Sequence, residues 1–415
     1  MKLTAKQRAI LAGKLGQGAA KAMEILSALG RIQDAPDMVE VGSVQVSGVS
    51  YNNIGEHGLA FLEEWAGMGS KAVVPATMNP GGSDRRIWKS LGFSPAFVRK
   101  QERVIKALEE LGIRPTLTCT PYHVGVEPKY GEHVAWAESS AVCFANSVLG
   151  ARTNREGGPS AIAAALTGLT PRHTLHTDEG RLPTRVIKVK CGVPTAADAG
   201  ALGYLIGRLV SSDKAGGIPF ITGTQPPAGP ERLTWLKALG AGMAASGSVG
   251  LYHLECVTPE AAAQGSRLAK AAKQKSVVRS LDEGHNALNC GKGKLDVVAV
   301  GCPHASPEDL TRILRLLNWR QAKVPFWIFV AEDVRKHAEE TGVAEALGRC
   351  GVTLVADTCI VVAPLKELGI HTLATDSAKA AFYLPSHHGA SVYFGSLEQN
   401  IEAALRGSWG GTPRA

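Results

Sequence analysis

Short apolar runs alternate with amphipathic segments along most of the chain. Runs rich in Val and Ile, such as Val324–Val330 and Val352–Ala356, are typical of strands that are buried on both faces of a parallel sheet. The segments between such runs, among them Ala197–Val210 and Pro230–Ala245, carry apolar residues at helical spacing. Because parallel strands need long, right-handed crossovers, this alternation predicts an α/β protein with a mainly parallel sheet.

Shorter segments extend this prediction over the rest of the chain. Further strands are predicted at 39–46, 71–74, 113–118, 185–190, 217–222, 249–254, 296–300, 371–375 and 391–394. Further helices are predicted at about 57–66, 94–111, 376–383 and 397–405, and after Thr258. Thr4 and Gln7 form a capping box at the N-terminal helical segment, and residues 407–415 are expected to fray.

The stretch from Asp296 to Asp309 joins one predicted strand to a helix. Gly301 is expected to end the strand, and Ser306 with Asp309 forms a capping box that starts the helix. Cys302 and His304 are therefore predicted to lie in the turn at the carboxyl end of a strand. Ligands bind at this edge in open α/β sheets, so the turn is a candidate site.

Two other cysteines have the same local context. Cys119 follows the predicted strand 113–118, and Cys359 follows Val352–Ala356. Three thiolates around an iron–sulfur cluster would leave one iron open to act as a Lewis acid on a substrate, as a dehydratase needs. Buried structural cysteines are the alternative explanation of this pattern.

Two other functions remain open at this point. Cys302 could be a nucleophile whose base is His304, His123 or His253, because a nearby helix N-terminus lowers a thiol pKa. The chain could also be a binding scaffold without catalysis. The many polar, glycine-rich strand ends argue against the scaffold.

Several polar segments are further candidates. The first polar loop, Ser47–Gly55, and the second polar loop, Thr77–Gly82, are rich in glycine and hydrogen-bonding groups, which suits a small polar ligand. The block Trp136–Pro159 combines charges with many small residues, which indicates close helix packing with charges directed into a cleft. Lys379 falls in a first helical turn, where a lysine is favourable only if it meets an anion.

Composition narrows the function classes. The chain has 415 residues, 45% hydrophobic and 20% charged, which suits a globular protein of two to three domains. A formal net charge of +8 comes from dispersed Lys and Arg, so we expect anionic substrates and no nucleic acid. No signal peptide or membrane span is recognisable, and eight cysteines without a CxxC pair suit the reducing cytoplasm.

Taken together, the motifs resemble the large, catalytic subunit of aconitase X enzymes, over nearly the whole chain and in order. The motifs that carry the resemblance are Ser47–Ser50, Thr77–Pro80, Thr118–Tyr122, Trp136–Pro159, Gly301–His304, Asp357–Cys359 and Ser377–Lys379. The resemblance implies an aconitase-like fold, with several α/β subdomains around a central cleft and helices on both faces of the sheets. It also implies an iron–sulfur hydro-lyase.

The resemblance also assigns roles to residues. Cys119, Cys302 and Cys359 would hold the cluster, whose type stays open between [4Fe-4S], [3Fe-4S] and [2Fe-2S] because the CxxC pair of aconitases proper is missing. The residues that would line the substrate site are Gly48, Val49, Ser50, Asn79, Pro80 and Lys379. The candidate catalytic residues are Lys379, Arg152, Glu156 and His304.

The resemblance further implies a partner and a substrate. The chain leaves no room for the small swivelling domain of the superfamily, so we expect a separate small subunit in a heterodimer. The tentative subdomains are 1–125, 126–290 and 291–406. The expected reaction converts cis-3-hydroxy-L-proline to 1-pyrroline-2-carboxylate, since the Ala- and Gly-rich composition is typical of bacteria. The alternative substrate is (R)-5-phosphomevalonate.

Overall fold

Four sheets and the helices between them make up the described part of the chain. The computed structural model describes residues 1–213 and 217–410, so most of the expected frayed end, 407–415, lies outside it. The strands are β1 (Met38–Glu40), β2 (Val44–Val46), β3 (Ala76–Met78), β4 (Ala135–Trp136), β5 (Leu169–Pro171), β6 (Arg185–Val189), β7 (Pro219–Thr222), β8 (His253–Leu254), β9 (Gln274–Val278), β10 (Val297–Ala305), β11 (Phe326–Val330), β12 (Val352–Ala356), β13 (Thr372–Thr375) and β14 (Ser391–Phe394). The helices are α1 (Ala5–Leu11), α2 (Gln17–Ile32), α3 (Tyr51–Gly67), α4 (Pro95–Glu110), α5 (Ser139–Phe144), α6 (Gly158–Thr167), α7 (Ala196–Val210), α8 (Glu231–Gly247), α9 (Pro259–Gln264), α10 (Ser266–Ala269), α11 (Asp282–Leu288), α12 (Pro307–Leu317), α13 (Glu332–Glu340), α14 (Val343–Arg349), α15 (Ala378–His388) and α16 (Leu397–Arg406).

Three of the four sheets are parallel throughout. Their strand orders are β3-β2-β4, β8-β7-β6-β9 and β12-β11-β10-β13-β14, and only the pair β1-β5 is antiparallel. The prediction of a mainly parallel α/β architecture is therefore confirmed. None of the helices within residues 1–213 and 217–410 has both the length and the apolar character that crossing a bilayer requires.

Glycines let two helices of the second parallel sheet region approach closely. A Cβ on Gly203 of α7 would lie 2.3 Å from the Leu239 carbonyl oxygen of α8, so no larger residue fits without a shift. A Cβ on Gly200 would lie 2.9 Å from Cβ of Ala378, the first residue of α15. This packing holds the start of α15, and with it Lys379, against the second region.

Several predicted strands differ from the observed ones, and of the strand predicted at 249–254 only His253–Leu254 forms, as β8. The segment 39–46 forms two strands in different sheets, β1 and β2. The strand expected at 71–74 begins later, as β3. The segment 113–118 is not a strand and makes only one bridge, from Arg114 to Thr77. Pro115 lacks the N–H that a ladder needs, and Leu117 has a φ of +46°, so the segment cannot stay extended.

The strand β10 does not end at Gly301, as was expected. It continues to Ala305, so Cys302 and His304 lie within the strand rather than in the turn after it. Its pairing with β11 shifts register between Val300 and Ala305, and Gly301 has a φ of +88°. A glycine permits this irregularity because it has no Cβ, whereas the sequence pattern favoured a stop. The capping box of Ser306 and Asp309 is confirmed at the start of α12.

The first expected subdomain boundary also needs correction. Strand β4 lies beside β2 in a parallel pair, with Val44 opposite Ala135. A boundary at 125 would therefore cut the first sheet in two. The first region extends beyond it because β4 follows the long connection after Cys119 and returns to the same sheet.

A buried ion pair joins the first and third parallel sheet regions. Asp84 is fully buried, and its Oδ2 lies 2.6 Å from Nη1 of Arg335 on α13. The same oxygen accepts a hydrogen bond of 2.8 Å from the N–H of Ala356, at the end of β12. Asp84 therefore ties the chain that follows the second polar loop to the strand that leads to Cys359.

Replacing Asp84 by alanine is expected to destabilise the protein by about 3 kcal/mol, the lower end of the range for breaking a buried ion pair, because Arg335 loses this partner and keeps its pair with Glu332. Urea unfolding of both proteins measures the change. The matched control is Glu345→Ala, which removes a carboxylate from the exposed pair with Arg349 and should cost at most about 1 kcal/mol. Equal losses in the two variants would contradict the prediction.

Candidate active site

The three cysteines that the sequence singled out come together in the structure. Cys119, Cys302 and Cys359 are all buried and unpaired. Burial raises the pKa of each thiol, that of Cys359 to about 12, and the neighbouring thiols raise the pKa of Cys119 further. These three residues, called the three thiols below, are thus protonated in the free chain and lie within electrostatic reach of one another.

His304 connects the segments that carry the three thiols. Its backbone N–H donates to Sγ of Cys119 over 3.2 Å. Its ring Nε2 lies 3.0 Å from the Thr358 carbonyl oxygen, and its Nδ1 lies 3.0 Å from Oγ1 of Thr118. Since a carbonyl can only accept, Nε2 carries the proton and Nδ1 accepts from the threonine. Both ring nitrogens are therefore engaged, and burial lowers the pKa of His304 to about 4.

Lys379 provides the positive charge beside the three thiols. It lies in the first turn of α15, is 8% exposed, and forms an ion pair with Glu138, the residue that precedes α5. Burial opposes ionisation of Glu138, but Lys379 and a hydrogen bond of 2.6 Å from Asn79 hold its pKa at about 2. Glu138 in turn raises the pKa of Lys379 against the effect of burial. The pair is therefore ionised at neutral pH, and the ammonium lowers the pKa of each of the three thiols.

Two buried polar atoms at this place have no hydrogen-bond partner within the described residues. They are Oδ1 of Asn79 and Oγ1 of Thr358. Buried polar atoms in folded proteins nearly always find a partner, so such atoms mark a place where a ligand or water completes the site. Asn79 is also one of the residues that the sequence resemblance assigned to substrate.

Both polar loops meet the segment around Cys359. Oγ of Ser50 in the first loop donates to the Val362 carbonyl over 2.9 Å. The N–H of Gly81 in the second loop donates to the Asp357 carbonyl over 2.8 Å. These contacts bring two segments beside Cys359, one of the three thiols. The segments carry Gly48 and Val49, and Asn79 and Pro80.

A cavity adjoins Cys302 on the side of α7 and α8. Cys302 and Lys379 line it, together with Lys237 and Arg312 and with the carboxylates of Asp309, Asp376 and Glu398. Nζ of Lys237 lies 3.4 Å from Asp309, and Arg312 lies 2.8 Å from Glu398. Opposite charges in this cavity are thus largely paired with one another. Burial raises the pKa of Asp376 to about 7.

Two of the predicted catalytic residues lie in other surroundings. Arg152 forms an ion pair with Asp178 and donates to the His176 carbonyl over 3.4 Å. Glu156 accepts from Ser160 and from Thr170, and burial raises its pKa. Within the described residues, neither side chain forms a hydrogen bond or ion pair with the three thiols or with Lys379.

Sequence reasoning did not single out Glu138 as a site residue. Its carboxylate contacts Lys379, Asn79 and Ser140, so it holds together three segments that are distant in the chain. The available signal was an acid directly before a helix at the start of the small-residue block. That signal is typical of an ordinary helix cap and does not reveal the distant lysine.

A histidine pair near Arg152 gives the chain a pH-dependent stability. Nδ1 of His133 lies 2.8 Å from Nδ1 of His176. Burial, followed by the neighbouring positive groups, lowers the pKa of His176 to about 3. An unfolded histidine binds a proton near pH 6.5, whereas the folded one does not, so stability is lost as pH falls below about 6.5.

His176→Gln is therefore expected to lose less stability than the wild type when pH is lowered from about 7.5 to about 5, by roughly 1–2 kcal/mol. Urea unfolding of both proteins at the two pH values measures this difference in stability. The control is His337→Gln, at an exposed position on α13. An identical pH dependence in wild type and His176→Gln would show that the buried ring contributes nothing.

Comparison with known proteins decides the family. The family models for the Aconitase X first, second and third domains match residues 1–179, 183–284 and 295–406. A phosphomevalonate dehydratase large subunit from Methanocaldococcus jannaschii is 40% identical over 97% of this chain and 100% of its own length. The chain belongs to the aconitase X family. The resemblance carried by the sequence motifs is thus confirmed.

Other aconitase X relatives agree on fold and reaction class. A cis-3-hydroxy-L-proline dehydratase from Pseudomonas aeruginosa is 34% identical over 98% of this chain and 70% of its own length. The crystal structure of Thermococcus kodakaraensis aconitase X (holo-form) has a TM-score of 0.87 at 39% identity, over 97% of this chain and 100% of that one. This aconitase X chain is accordingly a dehydratase large subunit, a carbon–oxygen lyase.

Proposed function

We propose that this chain is the large subunit of a cytoplasmic iron–sulfur hydro-lyase that removes water from a small β-hydroxy carboxylate. The observation that carries the proposal is the group of three buried thiols beside a buried ammonium, that of Lys379. A separate small subunit is proposed as its partner, because relatives of nearly the same length are named large subunits. The unpaired cysteines are consistent with a reducing compartment.

The donor chemistry of the site suits an iron–sulfur cluster. The site offers three cysteine thiols, and thiolates are the usual ligands of such a cluster. Within the described residues, no three His, Cys, Asp or Glu side chains are grouped tightly enough to hold a single metal ion. Cys119, Cys302 and Cys359 would hold it, and Lys379 would favour their ionised form. The cluster type is left open in this proposal.

Within this mechanism, the chain binds and orients the substrate. Lys379 anchors the substrate carboxylate, and Asn79 offers its unpaired Oδ1 to a substrate donor, while Glu138 fixes both side chains. When bound, an iron–sulfur cluster with an open iron supplies Lewis-acid polarisation of the leaving hydroxyl. His304 holds the cysteine segments in place and has no free ring nitrogen for proton transfer. We therefore assign removal of the α-proton to a group on the small subunit.

The comparisons reorder the two candidate substrates. Relatives named phosphomevalonate dehydratase large subunit reach 40–41% identity, against 34% for a named cis-3-hydroxy-L-proline dehydratase. We therefore propose (R)-5-phosphomevalonate first. The cavity beside Cys302 favours the second candidate, because its paired charges suit zwitterionic cis-3-hydroxy-L-proline better than a multiply charged phosphate ester.

The test is an assay of the reconstituted two-chain enzyme on both substrates under anaerobic conditions. We expect turnover of (R)-5-phosphomevalonate to the dehydrated acid. Turnover of cis-3-hydroxy-L-proline alone would keep the hydro-lyase and replace the substrate. Turnover of neither would reject the proposed function.

A thiol nucleophile finds less support in the site. A reactive cysteine needs a lowered pKa and a base within reach, whereas burial raises the pKa of Cys302. His304 has no free ring nitrogen. His123 lies 3.5 Å from the Lys237 ammonium, and burial lowers its pKa to about 3. Nε2 of His253 lies 2.9 Å from the Arg181 carbonyl oxygen, and in the described part of the chain this ring forms no hydrogen bond with a thiol.

A further inference from the structure

One buried side chain, Gln101 of α4, contacts both polar loops. It is 0% exposed, and its amide group makes three hydrogen bonds to backbone atoms. Nε2 donates to the Val49 carbonyl over 2.8 Å. Oε1 accepts from the N–H of Tyr51 over 2.9 Å and from the N–H of Gly82 over 2.7 Å. A single amide therefore connects the first polar loop to the second.

The bonded residues lie among or close to those assigned to substrate, and Val49 is one of them. Val49 and Tyr51 stand on either side of Ser50, whose hydroxyl reaches the segment after Cys359. Gly82 is the last residue of the second polar loop, which also carries Asn79. Gln101 thus fixes the spacing between Ser50 and Asn79. Within the described residues, its amide forms no hydrogen bond with the three thiols.

The scaffold behind this amide is rigid. Helix α4 is held by a buried face that includes Val104, Ile105 and Leu108, and Ser94 caps its start. The approach of the second loop is close, since a Cβ on Gly82 would lie 2.7 Å from Oε1 of Gln101. A small movement of the amide would therefore displace the loop backbone.

Only a side chain with both a donor and an acceptor satisfies all three backbone groups. Methionine has a similar size but neither strong donor nor strong acceptor, and ionised glutamate accepts without donating. The choice of glutamine thus matches the two N–H groups and one carbonyl that the loops present. Each of these groups is costly to leave unpaired when buried.

We propose that Gln101 is a positioning residue that sets the distance between the two polar loops and so the fit of the substrate. The inference rests on the proposed function, because it takes Ser50 and Asn79 as parts of the substrate site. Misplacement of such groups by about 1 Å can cost on the order of 100-fold in rate. Substitution of Gln101 should therefore impair the reaction more than an equally destabilising substitution elsewhere in the chain.

The test compares Gln101→Met with Gln101→Glu in the two-chain enzyme. Gln101→Met should raise KM roughly tenfold or more and speed hydrogen exchange at the Tyr51 and Gly82 amides. Gln101→Glu keeps the acceptor for those two amides and loses only the donor to Val49, so its exchange should stay close to wild type and its KM should be intermediate. The control is Asn400→Leu, which removes a buried amide with two backbone bonds in α16 and should lower Tm without changing KM.

The outcomes separate this inference from the proposed function. Unchanged exchange at Tyr51 and Gly82 in Gln101→Met overturns the positioning role whether or not the enzyme turns over. A KM in Gln101→Met no higher than in Asn400→Leu overturns it as well. If Gln101→Met does not fold, the Gln101→Glu enzyme provides the test. A wild-type KM in that variant would show that the hydrogen bond to Val49 is not needed, which overturns the positioning role. Inactivity of the wild type on both substrates, with the exchange difference present, rejects the proposed function and leaves the loop contact established.

Discussion

Replacing Cys302 by serine is expected to remove bound iron and dehydratase activity together. The thiol is buried, lies in the irregular part of β10 and lines a cavity shared with Lys379. Loss of a residue that hydrogen-bonds to a metal ligand commonly lowers metal affinity or activity by about 10–100-fold. Loss of the ligand itself should lower them further. Iron content and turnover of the anaerobic two-chain enzyme measure both effects.

The matched control is Cys290→Ser, because Cys290 is an exposed free cysteine whereas the three thiols are buried. That variant should keep both iron and activity. The informative contrary result is a Cys302→Ser enzyme that retains its iron and is nevertheless inactive. It would favour a nucleophilic thiol over a ligand at this position.

Lys379→Met is expected to lower kcat by about 10²–10³-fold, in the range seen when a preorganised polar group is removed from an active site. The lysine is the positive charge nearest to the three thiols within the described residues, and it is proposed to hold the substrate carboxylate. The change also leaves Glu138 buried without its cation, which should destabilise the protein by about 3–5 kcal/mol. Steady-state kinetics and urea unfolding separate the two effects.

The double variant Lys379→Met with Glu138→Gln distinguishes catalysis from folding. Removing both charges should restore much of the stability, because no unpaired buried charge remains. Activity should stay low, since the substrate anchor is still missing. Recovery of activity together with stability would show that Lys379 acts only as a structural partner of Glu138.

Local sequence patterns predicted the parts of the fold that depend on neighbouring residues. The capping box of Ser306 and Asp309 and the buried run of β12 were read correctly, because each depends on hydrogen bonding or burial within a few residues. The continuation of β10 through Gly301 was missed. Glycine weakens a strand, whereas here the positive φ of Gly301 and the close approach of the Phe329 backbone require one within β10.

The sequence pattern picked out the three cysteines, although only Cys359 follows a strand in the structure, while Cys302 lies within β10 and Cys119 follows an irregular segment. The structure nevertheless brings all three within electrostatic reach of one another. Glu138 and Gln101 were missed because their contacts with Lys379 and with Val49 join residues more than 40 positions apart, and an acid before a helix or a glutamine within one carries no sign of such contacts. Contacts of this kind are created by the packing of separate sheets.

The central claim is that the three thiols hold an iron–sulfur cluster. It is tested most directly by measuring iron and acid-labile sulfide in the anaerobically purified two-chain enzyme, alongside its visible absorption. We predict a coloured protein that contains both elements and loses them in Cys119→Ser, Cys302→Ser and Cys359→Ser. A colourless wild-type enzyme without iron, purified with its partner present, would contradict the account.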